Sequence, residues 1–244
     1  MLESFVESLT VVLPFFPHAT MERIVKEGQV ATANTICRMF SVLPSCGRPT
    51  RVMIYDIHTL QNRFYLSGHA LASLGTSIPL FCQEIGRPGA QYDAVFFPDD
   101  GAQKRFGGLF KEFGWGEILG FCAKIRRGKE RIVDVQSGPD IKGARVLIVD
   151  DMVRSGGTLA ACAAALEKRG AKCVSAFCVH AGGTLDQLLK FSHSCPEPKY
   201  KFERFYLTDS VPTVVKSLPK NDVFHIVPLL PQILMDLDVH WGRG

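Results

Sequence analysis

An α/β fold, with a parallel sheet covered by helices on both faces, is the architecture this sequence predicts, and three observations carry the prediction. Short apolar runs rich in β-branched and aromatic residues alternate with helix-forming stretches along the chain. Arg145–Val149, a short apolar run, passes through a small-residue turn into the Ala-rich stretch Thr158–Leu166, a strand-turn-helix with a buried strand. The 244 residues are 46% hydrophobic, enough for one large core or two small ones.

In chain order, Thr10–Leu13 reads as a strand, Glu22–Phe40 as a helix, Arg51–Tyr55 and Tyr92–Phe96 as strands, and Ala102–Phe113 as a helix. Strands follow at Ile118–Ala123 and Arg145–Val149, then the helix after Thr158, a strand at Cys173–Val179 and a helix near Thr184–Leu189. Phe202–Leu207 and Val223–Ile226 are the last strands, with a helix after Asp209 between them. The Pro/Gly/Cys-rich stretch Leu43–Thr50 reads as a surface loop, and Gly-Arg-Pro-Gly at Gly86–Gly89 is turn chemistry that marks a boundary between two clusters of units.

Composition narrows the function classes. The net charge of +4 comes with no long Lys/Arg stripe, so nucleic acid is not implied and a small phosphorylated ligand suits the chain better. The eight cysteines form no C-x-x-C pair and mostly sit in apolar runs, which predicts reduced thiols and a cytoplasmic location. Glu3 and Glu7 stand where an export signal needs cations, and Val11–Phe16 is too short to span a bilayer, so no leader or membrane anchor is expected.

The stretch Asp150-Asp151-Met-Val-Arg154-Ser155-Gly156-Gly157-Thr158 carries the chemistry. Two glycines let backbone N–H groups close on an oxyanion, Ser155 and Thr158 add hydroxyls, and the following helix adds the partial positive charge of its N-terminus. Asp150 and Asp151 stand at the carboxyl end of the strand, where open α/β sheets bind ligands and carboxylates accept from sugar hydroxyls or hold hydrated Mg²⁺. No G-x-x-x-x-G-K-[ST] loop occurs, which excludes the common kinase architectures, and Gly114-Trp-Gly116 lacks dinucleotide spacing.

This stretch resembles the phosphoribosyl-diphosphate (PRPP) motif of type I phosphoribosyltransferase folds. Tyr55-Asp56-Ile57-His58, Phe97-Pro98-Asp99-Asp100-Gly101-Ala-Gln-Lys104-Arg105 and Lys124-Ile-Arg126-Arg127 fall in the order found in ribose-phosphate diphosphokinases, the PRPP synthetases, and look most like their divergent plant-type class. The resemblance covers Phe15–Leu237. It implies two phosphoribosyltransferase-like lobes sharing the ligand, here 1–88 and 89–228, with a tail at 229–244 that packs on the first lobe. It also implies transfer of diphosphate from ATP to ribose 5-phosphate with Mg²⁺ as cofactor, in a homo-oligomer or an assembly with homologous subunits. By the same resemblance Lys124 and Arg126 are catalytic. Asp150, Asp151, Ser155, Gly156, Gly157 and Thr158 bind ribose 5-phosphate, and Arg23 and His58 bind ATP. His58, Asp99, Asp150 and Asp151 hold the metal. Asp100 suits helix capping instead.

Two departures stand out. Typical members begin with further βα units that hold adenine, so the first lobe is expected to be truncated, with an open sheet edge. Arg154 replaces the third acid of the better-known branch, which adds a cation near the phosphate. Two alternatives remain open: a non-catalytic homologue that binds phosphoribosyl ligands or regulates a full-length subunit, and a transferase that consumes PRPP.

Overall fold

The computed structural model describes residues 6–45, 47–127 and 130–241. Strands β1 (Thr10–Leu13), β2 (Thr50–Tyr55) and β3 (Ala70–Gly75) and helix α1 (Thr32–Ser41) belong to a compact unit ending at Thr76, and a second unit runs from Ser77. The boundary therefore falls upstream of the Gly86–Gly89 turn. The reason is α2 (Ile78–Ile85), whose Ile78, Phe81, Cys82 and Ile85 are buried in the core of the second unit. Gly86, at φ +72°, ends that helix and not a domain.

In the first unit β1, β2 and β3 pair in parallel, and Ala33 and Cys37 of α1 join Val52, Ile54 and Phe16 in its core. The helix expected from Glu22 to Phe40 is confined to α1. Gly28 takes φ +85°, and the Gln29 side chain accepts from the Val25 and Lys26 N–H groups at 2.9 and 3.1 Å, so a turn replaces helical bonding there.

The second unit is built on a seven-stranded sheet in the order β10-β9-β8-β7-β4-β5-β6. Its strands are β4 (Ala94–Phe97), β5 (Leu119–Arg127), β6 (Glu130–Ser137), β7 (Arg145–Val153), β8 (Cys173–Ala181), β9 (Phe205–Thr208) and β10 (Phe224–Val227). All neighbours are parallel except β5 and β6, an antiparallel pair in which Lys124 faces Val133. Alternation along β7 divides its apolar residues between two cores. Val146 and Ile148 pack with Leu159, Cys162 and Leu166 of α4 (Gly157–Lys168), while Leu147 and Val149 pack with Phe106 and Phe110 of α3 (Asp100–Glu112). The expected double-sided covering of a parallel sheet is thus present. Helices α5 (Leu185–Leu189), α6 (Pro212–Val215) and α7 (Leu230–Trp241) complete the unit. The segment expected as a tail is α7, which falls within the second unit.

At the opposite end of β7, Arg145 ties the sheet to the turn before β4. Its guanidinium donates to both oxygens of Asp93, at 2.8 and 3.1 Å, and to the carbonyls of Gly89 and Ala90. The Gly-Arg-Pro-Gly turn is therefore anchored to the sheet.

Candidate functional site

Between β7 and α4 the chain makes the turn that the sequence singles out. Gly156 is the N-cap of α4, in the left-handed region at φ +71°, and a Cβ there would lie 2.3 Å from the Phe191 ring. Both backbone and packing require glycine at this position. Gly157 is different: it is exposed, and its nearest neighbour to a built Cβ, Ser155 Oγ, is 3.8 Å away. Its lack of a side chain keeps open the approach to the N–H groups of the first turn of α4. Ser155 is exposed and Thr158 half-buried, at the same helix end.

The two acids at the end of β7 have different partners. Strand alternation continues the α4-facing row with Asp150 and the α3-facing row with Asp151. Asp151 is buried and paired with Arg105 of α3, Nη1 to Oδ2 at 2.7 Å. Asp150 Oδ1 accepts from the Asp151 N–H at 2.9 Å. Its carboxyl is pushed well above the ordinary carboxylate range, by burial first, then by the negative charge of Asp151 and then by Asp99. Three carboxylates therefore crowd the carboxyl edge where β4 and β7 pair side by side.

Asp99 is exposed and serves as the N-cap of α3, its Oδ1 accepting from the Ala102 N–H at 2.9 Å. The capping role considered for Asp100 thus belongs to Asp99, because Asp99 has the extended backbone of a cap and Asp100 lies inside the first turn, paired with Lys104. A capping carboxylate retains its second oxygen for another ligand. Hard oxygen donors with mutual repulsion suit a small divalent cation, and Mg²⁺ characteristically takes only one or two carboxylates and completes its shell with water and phosphate. Asp150 and Asp99 fit that requirement, with Asp151 already matched by Arg105.

Lys124 is exposed on β5. From the register, Gly120 is level with Phe96 and Ile148, so Lys124 stands two strand positions beyond Asp150 and roughly 10 Å to the side, with β4 between them. The β5–β6 pair carries it past the edge at which the acids sit. Arg126 follows two residues along on the same strand; its side chain lies outside the described residues, as do Gly128 and Lys129.

Arg23 and His58 belong to the first unit. Arg23 is exposed and lies 3.4 Å from Glu22. His58 is half-buried just beyond β2, on the loop opened by Asp56. Asp56 is a buried, non-glycine residue at φ +41°, held by Thr76 Oγ1 at 2.7 Å and by its own N–H on the Gly75 carbonyl at 3.0 Å. That over-determined backbone fixes the direction in which the His58 loop leaves the strand.

Two residues not singled out from the sequence touch these groups. Arg105 lies within a motif quoted for its order, yet no local pattern says that it turns toward Asp151. Lys199, whose Nζ donates to the Ser155 carbonyl, is 44 residues away in the chain. His180 is buried on β8, with Nδ1 2.9 Å from Ser210 Oγ.

Known proteins place the chain in context. A phosphoribosyl transferase domain family matches residues 81–219. Ribose-phosphate pyrophosphokinase 4 of Oryza sativa subsp. japonica is 42% identical over 238 residues, covering 96% of this chain and 72% of the relative. Its Arabidopsis thaliana namesake is 40% identical over 237 residues, covering 96% and 69%. The crystal structure of phosphoribosylpyrophosphate synthetase from Mycobacterium smegmatis matches over 100% of this chain and 77% of that one, with a TM-score of 0.72 and 21% identity, a likeness of fold.

Proposed function

Because the chain belongs to the ribose-phosphate pyrophosphokinase family, in its plant-type branch, we propose that it transfers the β,γ-diphosphate of ATP to the C1 hydroxyl of ribose 5-phosphate, giving PRPP and AMP. The C1 oxygen releases its proton to solvent and bonds to the β-phosphorus while the bond from that phosphorus to the oxygen retained by AMP breaks. The observation that carries this reading is the turn at Gly156: a strand, a left-handed glycine seated on Phe191 and a helix N-terminus, with carboxylates at the strand end.

In this reading Ser155, Gly156, Gly157 and Thr158 hold the 5-phosphate, through backbone N–H groups and hydroxyls at the start of α4. Asp150 and Asp151 face the ribose hydroxyls. Asp150 and Asp99 are the acids suited to Mg²⁺, which, when bound, neutralises charge on the triphosphate. Arg105 sets a positive charge beside Asp151, so that the acid adds no uncompensated charge to the site. Lys124 and Arg126 supply positive charge to the transferring phosphoryl oxygens and the leaving AMP, in a reaction governed by positioning and electrostatics. Arg23 and His58 are assigned to the nucleotide, with His58 also a candidate metal ligand.

Self-assembly belongs to the same reading, supported by exposed apolar residues in the first unit, among them Val25, Val42 and Phe64. Among the described residues no helix is long and apolar enough to cross a membrane, and the described cysteines are free, which supports a reducing compartment such as the cytoplasm.

The test is AMP production by the purified chain given ATP, Mg²⁺ and ribose 5-phosphate. AMP that requires ribose 5-phosphate and disappears in Lys124→Ala, with the fold intact, is the expected result. Binding of ribose 5-phosphate without AMP favours the non-catalytic homologue, and consumption of PRPP with a free base favours a transferase.

A further inference from the structure

The phosphate turn is braced from outside by a segment that follows α5. Lys199 Nζ donates to the Ser155 carbonyl. The preceding carbonyl, of Arg154, lies against Gly183, where a Cβ would come within 2.2 Å of it. In a trans peptide the carbonyl and the next residue's N–H point in opposite directions. Holding the carbonyls of Arg154 and Ser155 outward therefore turns the N–H groups of Ser155 and Gly156 the other way, as an anion-binding turn requires.

The bracing segment is itself pinned. The Lys199 N–H donates to the Lys190 carbonyl at 2.8 Å, which closes the loop between them. Within that loop the His193 N–H donates to Asp222 at 2.8 Å, Ser192 Oγ donates to the same carboxylate, and Phe191 places its ring beneath Gly156. The segment thus meets the turn twice, with a ring and with an ammonium group. Lys199 is exposed and its side chain binds a neutral carbonyl, with no carboxylate partner among the described residues, so its positive charge stays uncompensated beside the turn.

From these contacts we propose that Lys199 is a positioning residue for the phosphomonoester of the sugar phosphate. It holds the Ser155–Gly156 peptide in the orientation that presents its N–H and sets a positive charge behind that peptide. The inference rests on the proposed function, which makes this turn the ribose 5-phosphate side of the site.

The test compares the full wild-type chain with Lys199→Met and Lys199→Arg. Calorimetry with ribose 5-phosphate alone gives Kd, and initial rates of AMP formation give kcat and KM for each substrate. Lys199→Met is expected to raise Kd and KM for ribose 5-phosphate about tenfold, the scale of one charge-assisted hydrogen bond, while KM for ATP, kcat and Tm stay close to wild type. Lys199→Arg should recover most of the lost affinity. Unchanged affinity for ribose 5-phosphate, an equal loss toward ATP, or a lowered Tm that Lys199→Arg does not restore overturns the proposal. A wild-type chain that binds ribose 5-phosphate but forms no AMP refutes the synthetase reading, while the Kd comparison still decides Lys199. A wild-type chain that binds no ribose 5-phosphate refutes both.

Discussion

Arg105 Nη1 lies 2.7 Å from Asp151 Oδ2, with both side chains largely buried at the carboxyl edge of β7. The contact divides two adjacent acids into unlike groups. Asp151 has a cation beside it, whereas Asp150 carries the cost of burial and of its acidic neighbours, and its carboxyl is raised in consequence.

Removing the cation leaves a buried carboxylate without compensation, so Arg105→Met should destabilise the chain by about 3 to 5 kcal/mol. Asp151→Asn in the same background removes the stranded charge. The double variant should therefore lose clearly less than the sum of the single losses, as read by urea unfolding in a double-mutant cycle. Simple additivity would show that the ion pair has no energetic coupling.

The two glycines of the turn should behave differently. Gly156→Ala has to adopt φ +71° and also drives a methyl group into the Phe191 ring, whereas Gly157→Ala meets only Ser155 Oγ, at an ordinary contact distance of 3.8 Å. The first should cost about 2 to 5 kcal/mol, the sum of left-handed strain and overpacking. The second should leave thermal stability within about 0.5 kcal/mol. In a Phe191→Ala background, which lacks the ring, Gly156→Ala should cost only the left-handed strain, about 1 to 2 kcal/mol.

Asp93 gives a pH-dependent contribution at the other end of the sheet. Its pKa is lowered from 3.8, chiefly by hydrogen bonds from the Arg145 side chain and backbone. A carboxylate with a lower pKa in the folded state than in the unfolded state contributes stability that is complete above the unfolded value and is lost as pH falls through the folded one. The Tm difference between wild type and Asp93→Asn should therefore be constant near neutrality, shrink below about pH 4 and vanish at lower pH. Because the pair is about one-third exposed, the difference should be modest and smaller in high salt.

Much of the second unit was legible because its strands are continuous apolar runs, as buried parallel strands must be: Arg145–Val149 and Cys173–Val179 both lie within observed strands. Less visible was β6, for which no strand was expected; its antiparallel pairing with β5 holds it at the sheet's edge. Strand β3 is Ala-Leu-Ala-Ser-Leu-Gly, weak in β-formers, and depends on its pairing with β2. In the first helix the apolar pattern extended past Gly28, whose positive φ breaks the helix. The phosphate turn was legible because its glycines and hydroxyls are contiguous. Its supports were not: Arg105, Phe191 and Lys199 come from other segments, and only the fold brings them to it.

Tracing the transferred group tests the central claim most directly. With ATP labelled at the β-phosphorus, Mg²⁺ and ribose 5-phosphate, the account predicts that label leaves ATP as the diphosphate of PRPP and that unlabelled AMP forms in equal amount. Formation of labelled ADP, or retention of all the label in ATP while ribose 5-phosphate is bound, would contradict it.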